Sequence, residues 1–467
     1  MKRWWAWWAL AVLGGCASPP VPTPVGPDHR FVVLGPEGSA VARVVTYAAE
    51  CPAILLDGVA RPMTVRMPAG TMPARASVSP LPPPVPSAFP VTTCEAVVPA
   101  GTARATVDGV PLPLPKADPK RIVILGDTGC RVVNGVYQLL QACNDPVEWP
   151  FERVAAAAAA TKPDLVIHVG DFHYREGPCP AGNAGCAGSP WGYGFDAWRA
   201  DFFDPGRKLL EAAPWIVVRG NHESCNRAGQ GWFRFLDPRP VAAKQDCNDP
   251  ANDDIGNYSE PYAVPLGSRA DTQFLVFDSS WVGLTPLAPT DLMYRNYRAQ
   301  FASLFGLGAR TPHNFLVMHH PVLGYAANPS NPRSPFPGNA GLQSVLSPAY
   351  GNVLVPDNVD ALLAGHFHVL EVVDFSTPHP PQYVIGQGGD WLDDPLPVPF
   401  PSVPGPSPGA VVANLLADSH FGFVTMERAG AGWRLQAFDA AGAPVTTCTL
   451  VARRSTCTPL AAVATKP

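Results

Sequence analysis

The chain has 467 residues, 46% hydrophobic and 15% charged, a balance that excludes a disordered polymer and allows two or three domains with a sizeable core. Its formal net charge of -5 excludes a general nucleic-acid-binding surface, because displacing counterions from a phosphate backbone takes an excess of Lys and Arg. Any anionic ligand has to be held locally. The 57 prolines concentrate in stretches such as 18–27, 80–90 and 395–408, where missing amide donors disfavour helix and central strand, so these read as linkers and surface loops.

The first residues read as an address. Lys2 and Arg3 supply a positive start, residues 4–13 form a short apolar run, and Leu13-Gly14-Gly15-Cys16 places small residues before a cysteine. The run is too short to span a bilayer. This layout resembles a bacterial lipobox, which implies a signal peptide over residues 1–16, cleavage before Cys16 and acylation of that cysteine. Ala17 is not the aspartate associated with inner-membrane retention, so the resemblance implies an exported protein anchored at the outer membrane or in the periplasm. The alternative is an ordinary signal peptide cut near Ala17, with Cys16 discarded. Residues 17–29 are a proline-rich linker.

Setting Cys16 aside, ten of the eleven cysteines remain and fall into neighbouring couples: Cys51 with Cys94, Cys130 with Cys143, Cys179 with Cys186, Cys225 with Cys247, and Cys448 with Cys457. Five disulfides are expected, in keeping with export. Many connectivities are open to ten cysteines; the sequential one closes a modest loop within each region. The competing reading, a thiolate zinc site, lacks any CxxC pair.

Residues 30–117 read as a separate all-β domain of the Ig or fibronectin kind, because short apolar or alternating runs at 31–34, 42–47, 63–66 and 103–107 are separated by Gly and Pro. Nothing in it has the residue types of catalysis in close spacing. From 118 to 445 strands alternate with helical stretches such as 152–161, which predicts α/β layering. Residues 446–467 read as a tail holding Cys448 and Cys457.

Within the α/β part, five apolar runs each end in a polar, metal-competent group: Gly126-Asp127-Thr128-Gly129, Gly170-Asp171-Phe172-His173-Tyr174, Gly220-Asn221-His222-Glu223, Met318-His319-His320 and Gly365-His366-Phe367-His368. In layered α/β folds the carboxyl ends of strands gather at one edge, so residues far apart in sequence converge there. Carboxylate, phenol, amide oxygen and imidazole together suit Fe, Mn or Zn. Alone, each has a plain structural reading: Asp127 a turn residue, Tyr174 a half-buried aromatic, His319 a core histidine. Their joint placement favours a metal centre.

The five motifs, in this order, resemble those of the calcineurin-like metallophosphoesterases, and Tyr174 resembles the purple acid phosphatase branch. The resemblance covers about residues 121–438. It implies a four-layer metallophosphoesterase-type β-sandwich flanked by helices, following the small all-β domain. It implies two metal ions, Fe(III) with Fe, Zn or Mn: Asp127, Asp171, Tyr174 and His368 around one, and Asp171, Asn221, His319 and His366 around the other, with Asp171 bridging. The activity implied is hydrolysis of a small phosphate ester by a metal-bound hydroxide, with a phosphomonoester as the expected substrate. Alternatives are a phosphodiesterase acting on nucleotides or phospholipid headgroups, and a surface binding protein that has lost catalysis. His222 is expected to work beside Asp171 in catalysis, contacting the phosphoryl group or protonating the leaving group, with Glu223 orienting its ring. Asn221, His222 and His320 are the expected substrate contacts. His168 is expected to pack structurally, His173 is open, and the Cys179–Cys186 loop is expected to rim the site.

Overall fold

The computed structural model describes residues 28–75, 84–133, 139–267, 269, 271–397, 400 and 403–459. The leader, Cys16, most of the linker and residues 460–467 lie outside them.

Two large sheets form the centre. The smaller has seven strands in the order Tyr262–Pro265, Thr272–Val276, His313–Val317, Val359–Ala364, Gln382–Ile385, Leu370–Phe375, Val412–Asp418. The larger has eleven, and its middle is the parallel set Arg121–Leu125, Leu165–His168 and Trp215–Val217. Side chains on a strand alternate between faces, and the burial follows that period. Ile122, Ile124, Leu165 and Ile167 meet Phe315, Val317, Ala361 and Leu363 between the sheets. Val123, Leu125 and Val166 point the other way, against Phe151, Val154, Trp198 and Phe202. On the far side of the smaller sheet, Leu275, Leu316 and Leu362 pack on Tyr297, Phe301 and Leu342 of the helices Leu292–Gly308 and Ala340–Tyr350. The result is the expected four layers. Helix Phe151–Ala160 lies within one residue of its predicted span.

The N-terminal all-β segment is there, but it is not set apart. Strand His29–Leu34 pairs in parallel with Trp215–Val217, and Ala40–Thr46, Thr92–Val98 and Thr64–Met67 continue the eleven-stranded sheet outward. Val32, Ala42, Val44 and Ile54 belong to the same core as Ile122 and Ile167. The seam is polar as well: the buried Arg43 donates to the carbonyls of Phe235 (2.9 Å) and Asp237 (2.6 Å), and Arg66 to those of Phe233 and Arg239 (both 2.7 Å). The larger sheet thus includes strands from both sides of residue 117. Pro444–Val451 and Arg454–Pro459 close the opposite edge of that sheet.

All five disulfides pair as the sequential reading has them. Among the described residues no helix is long and apolar enough to cross a membrane. Five disulfides fit an oxidising, exported setting.

Candidate metal centre

The five strand ends converge. Asp127, Asp171 and His366 all adopt left-handed backbone, with φ of 56°, 57° and 73°. Such a conformation is uncommon outside glycine and concentrates at functional turns, where it aims a side chain that an extended strand would direct elsewhere. The glycines before two key residues serve close approach: a Cβ on Gly220 would sit 2.0 Å from Asp171 Oδ1, and one on Gly365 2.4 Å from Asp127 Oδ2.

Two donor clusters result. Around Tyr174 Oη lie Asp127 Oδ1 (3.0 Å), Asp171 Oδ2 (2.9 Å) and His368 Nε2 (3.0 Å). Around Asn221 Oδ1 lie His319 Nε2 and His366 Nδ1, each at 3.0 Å. Asp171 Oδ2 belongs to both, because it is also 3.1 Å from His319 Nε2. The sets Asp127, Asp171, His319 and His319, His320, His366 each bring their ligand atoms within 4.8 Å of one another.

The donor set fits cations. His319 Nδ1 faces the Val169 carbonyl at 2.9 Å and His368 Nδ1 faces that of Trp391 at 2.7 Å. Each ring therefore donates from Nδ1, and its Nε2 faces carboxylate, phenol or amide oxygen, a position that either a proton or a cation can fill. Acceptor oxygens gathered with imidazole nitrogens in a buried site need positive charge among them, supplied by ring protons when the site is empty and by metal ions when it is loaded. With protein groups alone, burial opposes a charge on His319, yet the Asp171 carboxylate lifts its ring to about 9. Burial and the carboxylates of Asp171 and Asp127 push the Tyr174 phenol well above its ordinary value, so its ionisation needs a strong cation.

A cavity of about 440 Å³ opens over these groups, and His222 stands on its wall. The ring packs on that of Tyr174, centroids 3.9 Å apart, and lies 4.0 Å from Asp171 Oδ2. Burial, then the charge of Arg227, keeps it below the ordinary histidine value. Its neighbours correct one expectation. Arg227 Nη2 is 2.7 Å from His222 Nδ1 and Glu176 Oε1 is 3.5 Å from that atom, while Glu176 grips Arg227 through two contacts of 2.6 Å. Glu223 does not orient the ring. Its carboxylate accepts from the backbone amides of Asp171, Phe172, His173 and Gly220, tying the second and third motifs together. Burial and the nearby Asp171 push it up to about 8.

His320 departs from expectation too. It is 2% exposed, hydrogen-bonded to Ser279 at 3.0 Å and packed 4.2 Å from the His366 ring, and it does not line the cavity. His168 packs structurally, stacked 3.7 Å from Phe172, and His173 is buried against Tyr193 and Trp198. The Cys179–Cys186 loop packs on the Cys130–Cys143 disulfide instead of rimming the cavity.

Several partners escaped the sequence reading. Asp201 accepts from the amides of Cys130, Tyr174 and Arg175, holding the first two motifs together. Asp390 pairs with Arg131, whose guanidinium lies 4.8 Å over the Tyr174 ring. Nothing in their local sequence marks them; only the repeated glycines 386, 388 and 389 signal a tight approach there.

A comparison with curated proteins finds no match. Among solved structures, a purple acid phosphatase from yellow lupin (Lupinus luteus) seeds aligns with a TM-score of 0.54 at 15% identity, covering 88% of this chain and 72% of that one. The structure of PhoD aligns with a TM-score of 0.52 at 11% identity, covering 94% and 92%. At these identities the likeness concerns the fold. The model of the calcineurin-like phosphoesterase family matches residues 120–370, more than half of the chain and every residue of the two donor clusters, so the chain belongs to the calcineurin-like phosphoesterases, metal-dependent hydrolases of phosphoric esters.

Proposed function

We propose that the chain is an exported, lipid-anchored phosphomonoesterase of the purple acid phosphatase type. The observation that carries this reading is the shared position of Asp171 Oδ2, 2.9 Å from Tyr174 Oη and 3.1 Å from His319 Nε2, between a phenol-containing cluster and one built on Asn221. Asp127, Asp171, Tyr174 and His368 would hold one cation, a ferric ion suited to the phenol; Asp171, Asn221, His319 and His366 would hold a second, Fe, Zn or Mn. When bound, the pair supplies the positive charge that polarises a phosphoryl group and activates a water. The protein's own groups do the rest. His222, on the cavity wall and gripped by Arg227, offers a hydrogen bond or a proton to the ester oxygen. Glu176 holds Arg227, and Glu223 and Asp201 keep the motif loops in register.

Metal analysis of purified protein, combined with a panel of phosphate mono- and diesters, tests the reading. Two metals per chain and faster turnover of monoesters are expected; preference for diesters would refute it. A phenolate bound to ferric iron absorbs visible light, so iron-grown protein should be coloured and Tyr174→Phe should bleach it with the fold intact by circular dichroism. Colourless, fully active zinc or manganese protein would remove the ferric assignment alone.

The anchor rests on Cys16, outside the described residues. The protein should partition into detergent, and Cys16→Ser should release it into the aqueous phase. An unmodified mature terminus at Ala17 would refute acylation.

A further inference from the structure

Three large hydrophobic side chains that the fold leaves exposed gather beside the metal centre: Trp391 (46%), Leu139 (38%) and Val147 (64%). Single exposed apolar residues are ordinary, whereas a group of them around a polar cavity marks a surface that a ligand covers. Trp391 and Leu139 stand on the wall of the catalytic cavity. Trp391 is also a wall of a second cavity, about 350 Å³, formed with Leu140, Val147, Leu392 and Phe421. Trp391 is thus shared by the cavity over the donor clusters and the more apolar trough.

Its backbone is tied to the site on every side. The Trp391 carbonyl faces His368 Nδ1 at 2.7 Å, Asp390 before it pairs with Arg131, and Asp393 after it accepts from the His368 amide at 2.9 Å. Its carbonyl is thereby fixed beside His368 while its side chain remains 46% exposed. The lining adds a charge argument. Asp393 borders the catalytic cavity, where Arg131 is already paired with Asp390; Glu148 borders the trough, and no Lys or Arg is among the described residues lining the trough. A leaving group carrying further phosphates is repelled there, while a neutral planar ring finds an indole face to stack on.

The geometry points to an aryl phosphate monoester, or an ester with a comparable neutral aromatic alcohol, as the substrate class: the phosphoryl group lies over the donors and the ring on Trp391, extending into the trough. This rests on the phosphoesterase reading. Hydrolysis breaks the bond from phosphorus to the phenolic ester oxygen, forms one from phosphorus to a water oxygen, and moves a proton from that water to the departing alcohol.

The test is steady-state kinetics of the metal-loaded protein, Trp391→Ala and Val147→Asp with phenyl, 2-naphthyl and octyl phosphate. Phenol and 2-naphthol are leaving groups of nearly equal basicity, so their difference reports the second ring. Wild-type kcat/KM should favour the naphthyl ester about tenfold, through KM, as expected for one stacked ring. Both variants should lose that preference, the second by placing a charge in the trough without touching the metal centre. Octyl phosphate differs in leaving-group basicity, so it is read as a competitive inhibitor: a Ki as low as the naphthyl ester's KM would overturn the aromatic assignment in favour of an alkyl chain. Turnover of phenyl phosphate with no naphthyl preference would overturn the inference and leave the phosphoesterase reading intact. A two-metal protein that hydrolyses none of the three would overturn both.

Discussion

Asp171→Ala should bring hydrolysis to background and strip the bound metal in the same step. Asp171 Oδ2 is the one oxygen shared by the two clusters, and its other oxygen accepts from the His222 amide at 2.9 Å, so the side chain anchors the third motif as well. The left-handed backbone at this position, φ 57°, suits Asp and Asn better than Ala. Asp171→Asn therefore separates strain from charge: it should fold normally and still bind less metal. His222→Ala makes the contrast, since this ring lines the cavity outside both clusters. It should keep the metals and lose about 10²- to 10⁴-fold in kcat, the range for removing a group that transfers a proton. Metal content by mass spectrometry and kcat on one phosphomonoester read both variants. Full activity in Asp171→Ala, or in His222→Ala, would sink the corresponding role.

What was legible in the sequence divides by range. The strands that end in Asp127, Asp171, Asn221, His319 and His366 were readable because each is a short apolar run broken by a polar residue, a signal contained in six or seven positions. Their convergence followed from the layered fold, and the disulfide couples from proximity along the chain. Contacts that depend on how loops lie against one another were not readable. Glu223 is beside His222 in sequence, yet the turn at Asn221–Glu223 points its carboxylate into the amides of the second motif. The partners of His222 came from Glu176 and Arg227. A carboxylate that collects backbone amides, as Asp201 and Glu223 do, has no sequence signature, because the amides it serves belong to any residue type. The N-terminal segment is legible as all-β, but its sheet partner is not, for a related reason. Its alternating strands and Gly/Pro breaks look alike whether the sheet is free-standing or an extension of a larger one, and the deciding partner, Trp215, is more than a hundred residues away.

That extension sets the last expectation: the segment from residue 118 onward should not fold without residues 28–117, and the full chain should unfold in one transition. Deleting the segment would uncover the edge of Trp215–Val217 and remove Val32, Leu34, Ala42, Val44 and Ile54 from a core they share with Ile122, Ile167 and Ile216. A milder probe is Arg43→Met, which keeps much of the volume but leaves the carbonyls of Phe235 and Asp237 without their buried donor. At about 1–3 kcal/mol for each of the two unpaired buried groups, it should cost about 2–6 kcal/mol. The same seam carries a pH dependence. Although burial alone would raise it, Arg239 holds the buried Asp237 carboxyl down at about 2. A carboxyl depressed in the folded state stabilises the fold fully above its ordinary value of 3.8 and loses that contribution as pH falls from there toward 2. Asp237→Asn should therefore flatten the stability curve between about pH 4 and 2 while leaving one unfolding transition. Two separate calorimetric transitions in the wild type, or a soluble and cooperative fragment beginning at residue 118, would show instead that the N-terminal strands fold as a domain of their own.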